Sequence, residues 1–295
     1  MVQFRLFQLL VFMLRLLPYS WRKAFFVGIA KLAYAVDRSR RRVIRQNIKF
    51  AFGDEFDEER IEAISRYAFK NMGLNLFQII ENHFCSSEDI ARQVTYENKE
   101  VVDQALAEGR PVIFSSGHFG RWELAAVTIS SQLAPSLIIY KTIKNSYFEN
   151  YLIDARQRLG MTCVNSGGAV KAMVKQMRKK GAISIMTDVN TSPRDGVKVD
   201  FFGHPTLHPR TPAYLASKFG AVIIPTFFYT DDDERFVMRF EEPIEAPKSG
   251  DEEADIVAMT QQQASQVEAA IRKRPELWFW PHRRWKSDYP EIYRK

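Results

Sequence analysis

The residues best suited to chemistry lie in FSSGHFGRWELAA, Phe114 to Ala126, where His118 and Glu123 stand five positions apart. The apolar run PVIF just before reads as a buried strand, and WELAAVTIS just after as a helix. Ser115, Ser116, Gly117 and Gly120 let the backbone turn sharply, while the first free amides of a helix favour an anion or developing negative charge. With His118 on the loop and Glu123 in the first helical turn, the carboxylate can accept a hydrogen bond from one imidazole nitrogen and fix the tautomer. The other nitrogen is then a general base, able to take a proton from a hydroxyl as that hydroxyl attacks an acyl group. No covalent enzyme nucleophile is needed. The same residues also suit a plainer arrangement, in which His118 caps the helix and Glu123 complements its positive end.

The pattern HFGRWE, His-x4-Glu, resembles the His-x4-Asp/Glu motif of glycerolipid-type acyltransferases. Its surroundings, SSGHFGRWE, resemble the late acyltransferases of bacterial lipid A synthesis, as do Asp195 to Pro225 and PELWFWPHRRWK, Pro275 to Lys286, at matching places along the chain. The resemblance runs from about Arg38 onward. It implies an O-acyltransferase with His118 as general base and Glu123 as its orienting partner. The implied donor is an acyl carrier protein thioester, and the acceptor a hydroxyl of a phosphorylated glucosamine lipid, the lipid A precursor; no metal or other cofactor is expected. Amides near Gly117 to Gly120 are expected to stabilise the oxyanion, with Arg121 beside them. The family also includes enzymes that acylate phosphatidylinositol mannoside from acyl-coenzyme A, and the signature residues do not separate the two. A thioesterase or lipase, or a noncatalytic membrane-surface protein, are the readings from other classes.

The elements that must position these residues alternate. Strand VTYEN precedes helix NKEVVDQALAEG; PVIFSS leads into the His118 corner; SLIIY, MTCVN, AISIMTD and AVIIPTFFY follow, separated by helical stretches. This predicts an α/β fold, a mixed and mostly parallel central sheet flanked by helices, with ligands gathering outside the carboxyl ends of strands. Residues 51–295 read as one acyltransferase domain. His118 follows one strand end and Asp188 another, Asp188 either capping its loop or facing the cleft. Arg156 and Arg158 suit a phosphate or carboxylate, Arg156 matching the resemblance better, and Arg210 is placed to reach an anionic group on the acceptor. His204 and His208 are four apart, but Pro205 and Pro209 break a helix there and no carboxylate or cysteine completes a zinc set. His282 receives no catalytic role, and the tryptophans and arginines around it suit a membrane-facing rim. Cys85 and Cys163 fit a reducing compartment. There is no Gly-x-Ser-x-Gly, Walker A or Gly-x-Gly-x-x-Gly sequence, so nucleophile-elbow, phosphoryl-transfer and dinucleotide chemistry lack support.

Residues 1–50 hold eleven Lys and Arg against Asp37 alone, while the net charge of the whole chain is +7, so the remainder is slightly acidic. Phe4 to Leu17 is strongly apolar but short for a bilayer span and interrupted by Arg5, Gln8 and Arg15. Phe4, Phe7, Leu10, Val11 and Leu14 follow helical spacing, and Trp21 to Phe26 mixes aromatic and basic residues. These features predict amphipathic helices at an anionic membrane surface, the cytoplasmic face of an inner membrane. The arginines of DRSRRRVIRQNIKF lack the motifs of a nucleic-acid binder. They suit anionic lipid or acyl carrier protein. The long helix from Glu58 is read as scaffold.

Overall fold

Short runs of β-branched and aromatic residues form nine strands in the computed structural model, which describes residues 2 to 294, so that Met1 and Lys295 lie outside it. Seven make the central sheet: β1 (Val94–Glu97), β2 (Val112–Ser116), β3 (Ser136–Tyr140), β4 (Thr162–Asn165), β5 (Ala182–Met186), β8 (Val222–Tyr229) and β9 (Phe236–Phe240). Their spatial order is β1-β9-β8-β2-β5-β3-β4. All pairs are parallel except β8 with β9. The remaining two, β6 (Gly196–Phe201) and β7 (His204–Pro209), form a separate antiparallel hairpin. The mixed, mostly parallel α/β architecture expected from the alternation is the one observed.

Side chains on the central strands alternate between two buried clusters, as a period of two requires. Ile113, Ile183 and Ile223 enter one cluster with the helices α3 (Arg38–Phe52), α4 (Glu58–Glu81), α9 (Ala169–Arg178), α10 (Thr211–Phe219) and α11 (Glu252–Lys273). Val112, Phe114, Ala182 and Ile224 enter the other with α5 (Ser87–Ala91), α6 (Glu100–Ala107) and α7 (Trp122–Thr128). Helices therefore cover both faces of the sheet.

The amino-terminal helices α1 (Val2–Arg15) and α2 (Tyr19–Val36) pack on α4, and Gly73 of α4 lies so close to α2 that a Cβ there would come within 2.7 Å of the Phe26 carbonyl. Tyr34, Ile44 and Ile48 share the large buried cluster with the sheet. Of the spacing Phe4, Phe7, Leu10, Val11, Leu14, read from sequence as a membrane face, only Leu10 stays exposed and the other four turn inward. Val11 and Leu14 meet Phe77 and Ile80, while Phe4 and Phe7 stack on Tyr147, Phe148 and Tyr151 of α8 (Ser146–Arg158). Leu6, Leu9, Phe12, Met13 and Leu16 stay exposed on the other side. Among the described residues, no helix is long and apolar enough to cross a membrane.

Candidate active site

Strands β2 and β5 are parallel neighbours with Ser116 opposite Met186. Two residues beyond each lie His118 and Asp188, so the register itself brings them face to face at the carboxyl end of the sheet. Gly117 makes this approach feasible, because a Cβ there would lie 3.1 to 3.3 Å from the Asp188 side chain. The Asp188 carboxylate is buried, 3% exposed, and fully engaged. Oδ1 lies 2.9 Å from His118 Nδ1, and Oδ2 accepts the His118 amide at 2.7 Å and the Trp278 indole N–H at 2.8 Å. Burial alone would raise the Asp188 pKa, but the His118 ring and these hydrogen bonds outweigh it and hold the carboxyl below its usual range. For His118 burial pulls the pKa down, yet the charge and hydrogen bond of Asp188, with Glu123 further off, raise it overall.

The anionic Asp188 fixes the proton on Nδ1 and leaves Nε2 as the acceptor. Trp122 and Phe279 stand edge-on and tilted around the imidazole, with ring centroids 5.5 and 5.9 Å away. A small cleft of about 90 Å³ opens here, lined by His118, Asp188, Val189, Trp278, Phe279 and His282. Its side chains are those of a base held by a carboxylate beneath an aromatic wall.

Glu123 is elsewhere. The His-x4-Glu spacing predicts that its carboxylate orients the ring, whereas Glu123 in the first turn of α7 pairs with Arg156 of α8, Nη2 to Oε1 at 2.6 Å and Nε to Oε2 at 3.3 Å. Both side chains are largely buried. A carboxylate shut away from water takes the nearest full countercharge, and Arg156 supplies it. Arg156 thus holds a carboxylate of the chain itself, while Arg158 is exposed.

The other sequence candidates disperse. Buried Arg121 donates to the Asp233 carbonyl at 2.8 Å and to Gln78 at 3.3 Å, lies over the Phe236 ring, and does not line the cleft. Gly120 has φ +55, and a Cβ would come within 2.3 Å of the Phe228 carbonyl. Its amide donates to the Leu277 carbonyl at 2.8 Å, so it is not free for an oxyanion as expected. Arg210 pairs with Glu253 at 2.6 Å at the start of α10, away from the cleft. His204 bonds the Phe50 carbonyl, and His208 is buried against Arg284.

Three positioning groups went unread in the sequence. Asn75 of α4 donates to the Gly120 carbonyl at 3.1 Å and accepts the Glu123 amide at 3.2 Å, and Asn71 one turn earlier reaches the Leu277 carbonyl at 3.4 Å. The helix read as scaffold therefore clamps the His118 loop from behind. Asn71, Asn75 and Gln78 fall at helical spacing inside an otherwise apolar helix, a visible signal, since asparagine is a poor helix-interior residue without a partner. The third is Trp278. The tryptophans assigned to a membrane rim, Trp278, Trp280 and Trp285, are instead almost wholly buried, as is Arg284. Their segment forms a short antiparallel bridge with the His118 loop, Phe119 opposite Trp278, and the Phe279 amide donates to the His118 carbonyl at 2.9 Å.

Residues 3–287 match a family model described as bacterial lipid A biosynthesis acyltransferase. This chain belongs to that family. Among its relatives is the lipid A biosynthesis lauroyltransferase of Escherichia coli strain K12, 24% identical over 277 residues that cover 92% of this chain and 87% of the relative. The phosphatidylinositol mannoside acyltransferase of Mycobacterium tuberculosis strain H37Rv is 25% identical over 197 residues, 65% of this chain, and that of Mycolicibacterium smegmatis 26% identical over 201 residues. The match spans 60% of the length of the M. tuberculosis relative and 64% of the M. smegmatis one.

Proposed function

We propose that this lipid A biosynthesis acyltransferase family member moves a fatty acyl chain from an acyl carrier protein thioester to a hydroxyl of a lipid A precursor. The observation that carries the reading is the His118 ring held by Asp188, with Nε2 left as acceptor beside a cleft. A hydroxyl in that cleft gives its proton to Nε2 as it attacks the thioester carbonyl, and Asp188 stabilises the imidazolium that forms. The base then returns the proton to the departing thiolate. Glu123 and Arg156 act in this reading by holding α7 and α8 together at the loop. The reaction needs no metal or organic cofactor.

A membrane-surface location suits such an acceptor. Trp21, Phe25, Ile29, Leu32 and Val36 form one exposed apolar stripe along α2, and α1 is apolar on both sides, Phe4, Phe7, Val11 and Leu14 packing inward and Leu6, Leu9, Phe12, Met13 and Leu16 exposed. An apolar stripe left exposed on a helix whose other side is already packed is stable where lipid takes the place of a second protein surface. The arginines Arg38, Arg41 and Arg42 follow at the end of the stripe, where they meet anionic head groups. We therefore place the protein on the cytoplasmic face of an inner membrane.

The names of the mycobacterial relatives favour a second reading, phosphatidylinositol mannoside as acceptor, which the family resemblance pairs with acyl-coenzyme A as donor. An acyl-transfer assay with both thioesters and both acceptors, run beside His118→Ala, separates them. The expected product is acylated lipid A precursor from the carrier-protein donor, abolished in the variant. Thioester hydrolysis without any acceptor would replace the reading with a thioesterase. Activity retained in His118→Ala would overturn the role of the base.

A further inference from the structure

Acyl transfer at His118 puts negative charge on the carbonyl oxygen of the thioester, and the loop nominated by the sequence has few donors left to meet it. The His118 amide is engaged by Asp188, the Gly120 amide by the Leu277 carbonyl, and the Glu123 amide by the Asn75 side chain. His282 lines the same cleft. Its Nε2 accepts the Asn190 backbone N–H at 2.9 Å, which puts the proton of the neutral ring on Nδ1. Burial keeps the ring neutral, aided by the nearby charges of His118 and Arg284 and opposed by Asp188. Nδ1 has no protein partner among the described residues and is not one of the buried atoms left without one, so it is reachable from outside on a residue that lines the cleft. The backbone beneath is fixed, since Asn47 of α3 donates to the carbonyls of Trp280 and His282, both at 2.7 Å.

We infer that His282 is a second catalytic histidine, whose Nδ1–H donates to the thioester carbonyl oxygen as that oxygen becomes an oxyanion. The inference rests on the acyl-transfer reading of His118. The acceptor oxygen bonds to the carbonyl carbon while its proton passes to His118 Nε2, and the carbonyl π pair moves onto the oxygen held by His282. When the intermediate collapses, the C–O double bond re-forms, the C–S bond breaks, and the thiolate leaves with the proton from Nε2. His282 neither gains nor loses a proton. A preorganised donor in a site closed to water is worth far more than the same donor in solution, because it need not reorient as charge develops.

The test compares wild type, His282→Ala, His282→Phe, His282→Gln and His118→Ala in steady-state transfer. It also measures affinity for a donor analogue in which a thioether CH₂ replaces the carbonyl. Loss of the donor is expected to lower kcat about 100-fold in the Ala and Phe variants. KM and thioether affinity should stay within about twofold, because the missing contact forms only with the carbonyl. The Gln variant, whose amide can accept from Asn190 and donate from its nitrogen, should recover about tenfold of the loss. The Phe variant keeps the ring volume should the Ala variant fail to fold. Wild-type kcat in the Ala or Phe variant, with His118→Ala inactive, overturns the role of His282 and leaves that of His118 standing. Thioether affinity falling in step with kcat overturns it as well, since that is the mark of a misplaced wall. Activity in His118→Ala removes the reading on which the inference rests.

Discussion

Asp188 holds both the ring and the backbone of His118, its Oδ1 2.9 Å from Nδ1 and its Oδ2 accepting the amide at 2.7 Å. One carboxylate therefore sets the tautomer of the base, its orientation and the path of the loop that carries it. Two residues past the ends of adjacent parallel strands is a rigid place for such a pair, because strand register fixes both backbones before any side chain acts.

Replacing Asp188 by Asn should expose this coupling in the pH profile. Only the neutral imidazole can accept a proton, and Asp188 raises the His118 pKa above its ordinary 6.5 against the opposing effect of burial. Activity of the wild type is expected to rise with pH through that raised value. In Asp188→Asn the countercharge is gone, so the acidic limb of kcat/KM moves to lower pH while its plateau falls about 10³- to 10⁴-fold through loss of the correct tautomer. The profile of kcat/KM against pH checks both, and an unmoved limb would show that another group sets the ionisation of His118.

Trp278→Phe tests the second support of Asp188. The indole donates to a buried carboxylate, and hydrogen bonds to charged groups contribute about 1.5 to 3 kcal/mol. Phenylalanine fills most of the space without the donor. The variant should unfold at correspondingly lower denaturant and lose part of its activity, with the acidic limb of kcat/KM staying above that of Asp188→Asn. Chemical denaturation and the same pH profile measure it, and unchanged stability would mean that the bond contributes nothing net.

The fold was legible where periodicity is local and hidden where pairing is distant. Alternating apolar runs placed β1 to β5 and β8 and helices between them, while β9 and the β6–β7 pair went unread. The β6–β7 hairpin escaped because its two-residue turn is Phe202-Gly203, both at positive φ, where asparagine or aspartate is the usual signal before glycine. At the site, His118 and Asp188 were each readable as residues beyond a strand end. Their partnership was not, because it depends on β2 lying next to β5 across 70 residues of chain, whereas Glu123 is close in sequence and drew the hydrogen bond on spacing alone. The tryptophan-rich carboxyl-terminal segment looked like a lipid-facing rim for the same reason. Composition does not show that Trp278 reaches Asp188 or that Asn47 holds the carbonyls behind it.

Glu123 and Arg156 are predicted to matter as a pair. Removing either partner leaves a buried charge uncompensated, a loss of about 3 to 5 kcal/mol. Glu123→Ala and Arg156→Ala should each destabilise by that order, and the double variant by clearly less than their sum. The coupling energy from a double-mutant cycle in chemical denaturation checks this. Single-variant losses that simply add would mean the two side chains do not act together. If Glu123 held the His118 ring instead, Glu123→Gln would shift the acidic limb of kcat/KM as far as Asp188→Asn does, whereas here, acting only through its more distant charge, it should shift the limb less.

The exposed stripe on α2 gives the last prediction. Leu32 and Val36 are 66% and 69% exposed and touch nothing that the fold needs, so Leu32→Asp with Val36→Asp should leave the melting temperature within a degree or two. If the stripe enters lipid, the two substitutions forgo burial of two aliphatic side chains and require two carboxylates to be drawn toward an anionic surface. Burial of such side chains is worth about 1.5 to 3 kcal/mol each when complete, so even half of that lowers vesicle affinity roughly tenfold or more. Sedimentation with phosphatidylglycerol-containing vesicles measures it. Substituting Arg41 and Arg42 by Gln should weaken the same binding in a salt-dependent manner, because those arginines act through charge at the head-group layer while Leu32 and Val36 act through area beneath it. Vesicle affinity unchanged by the α2 pair would mean that the protein reaches its lipid acceptor by some other surface.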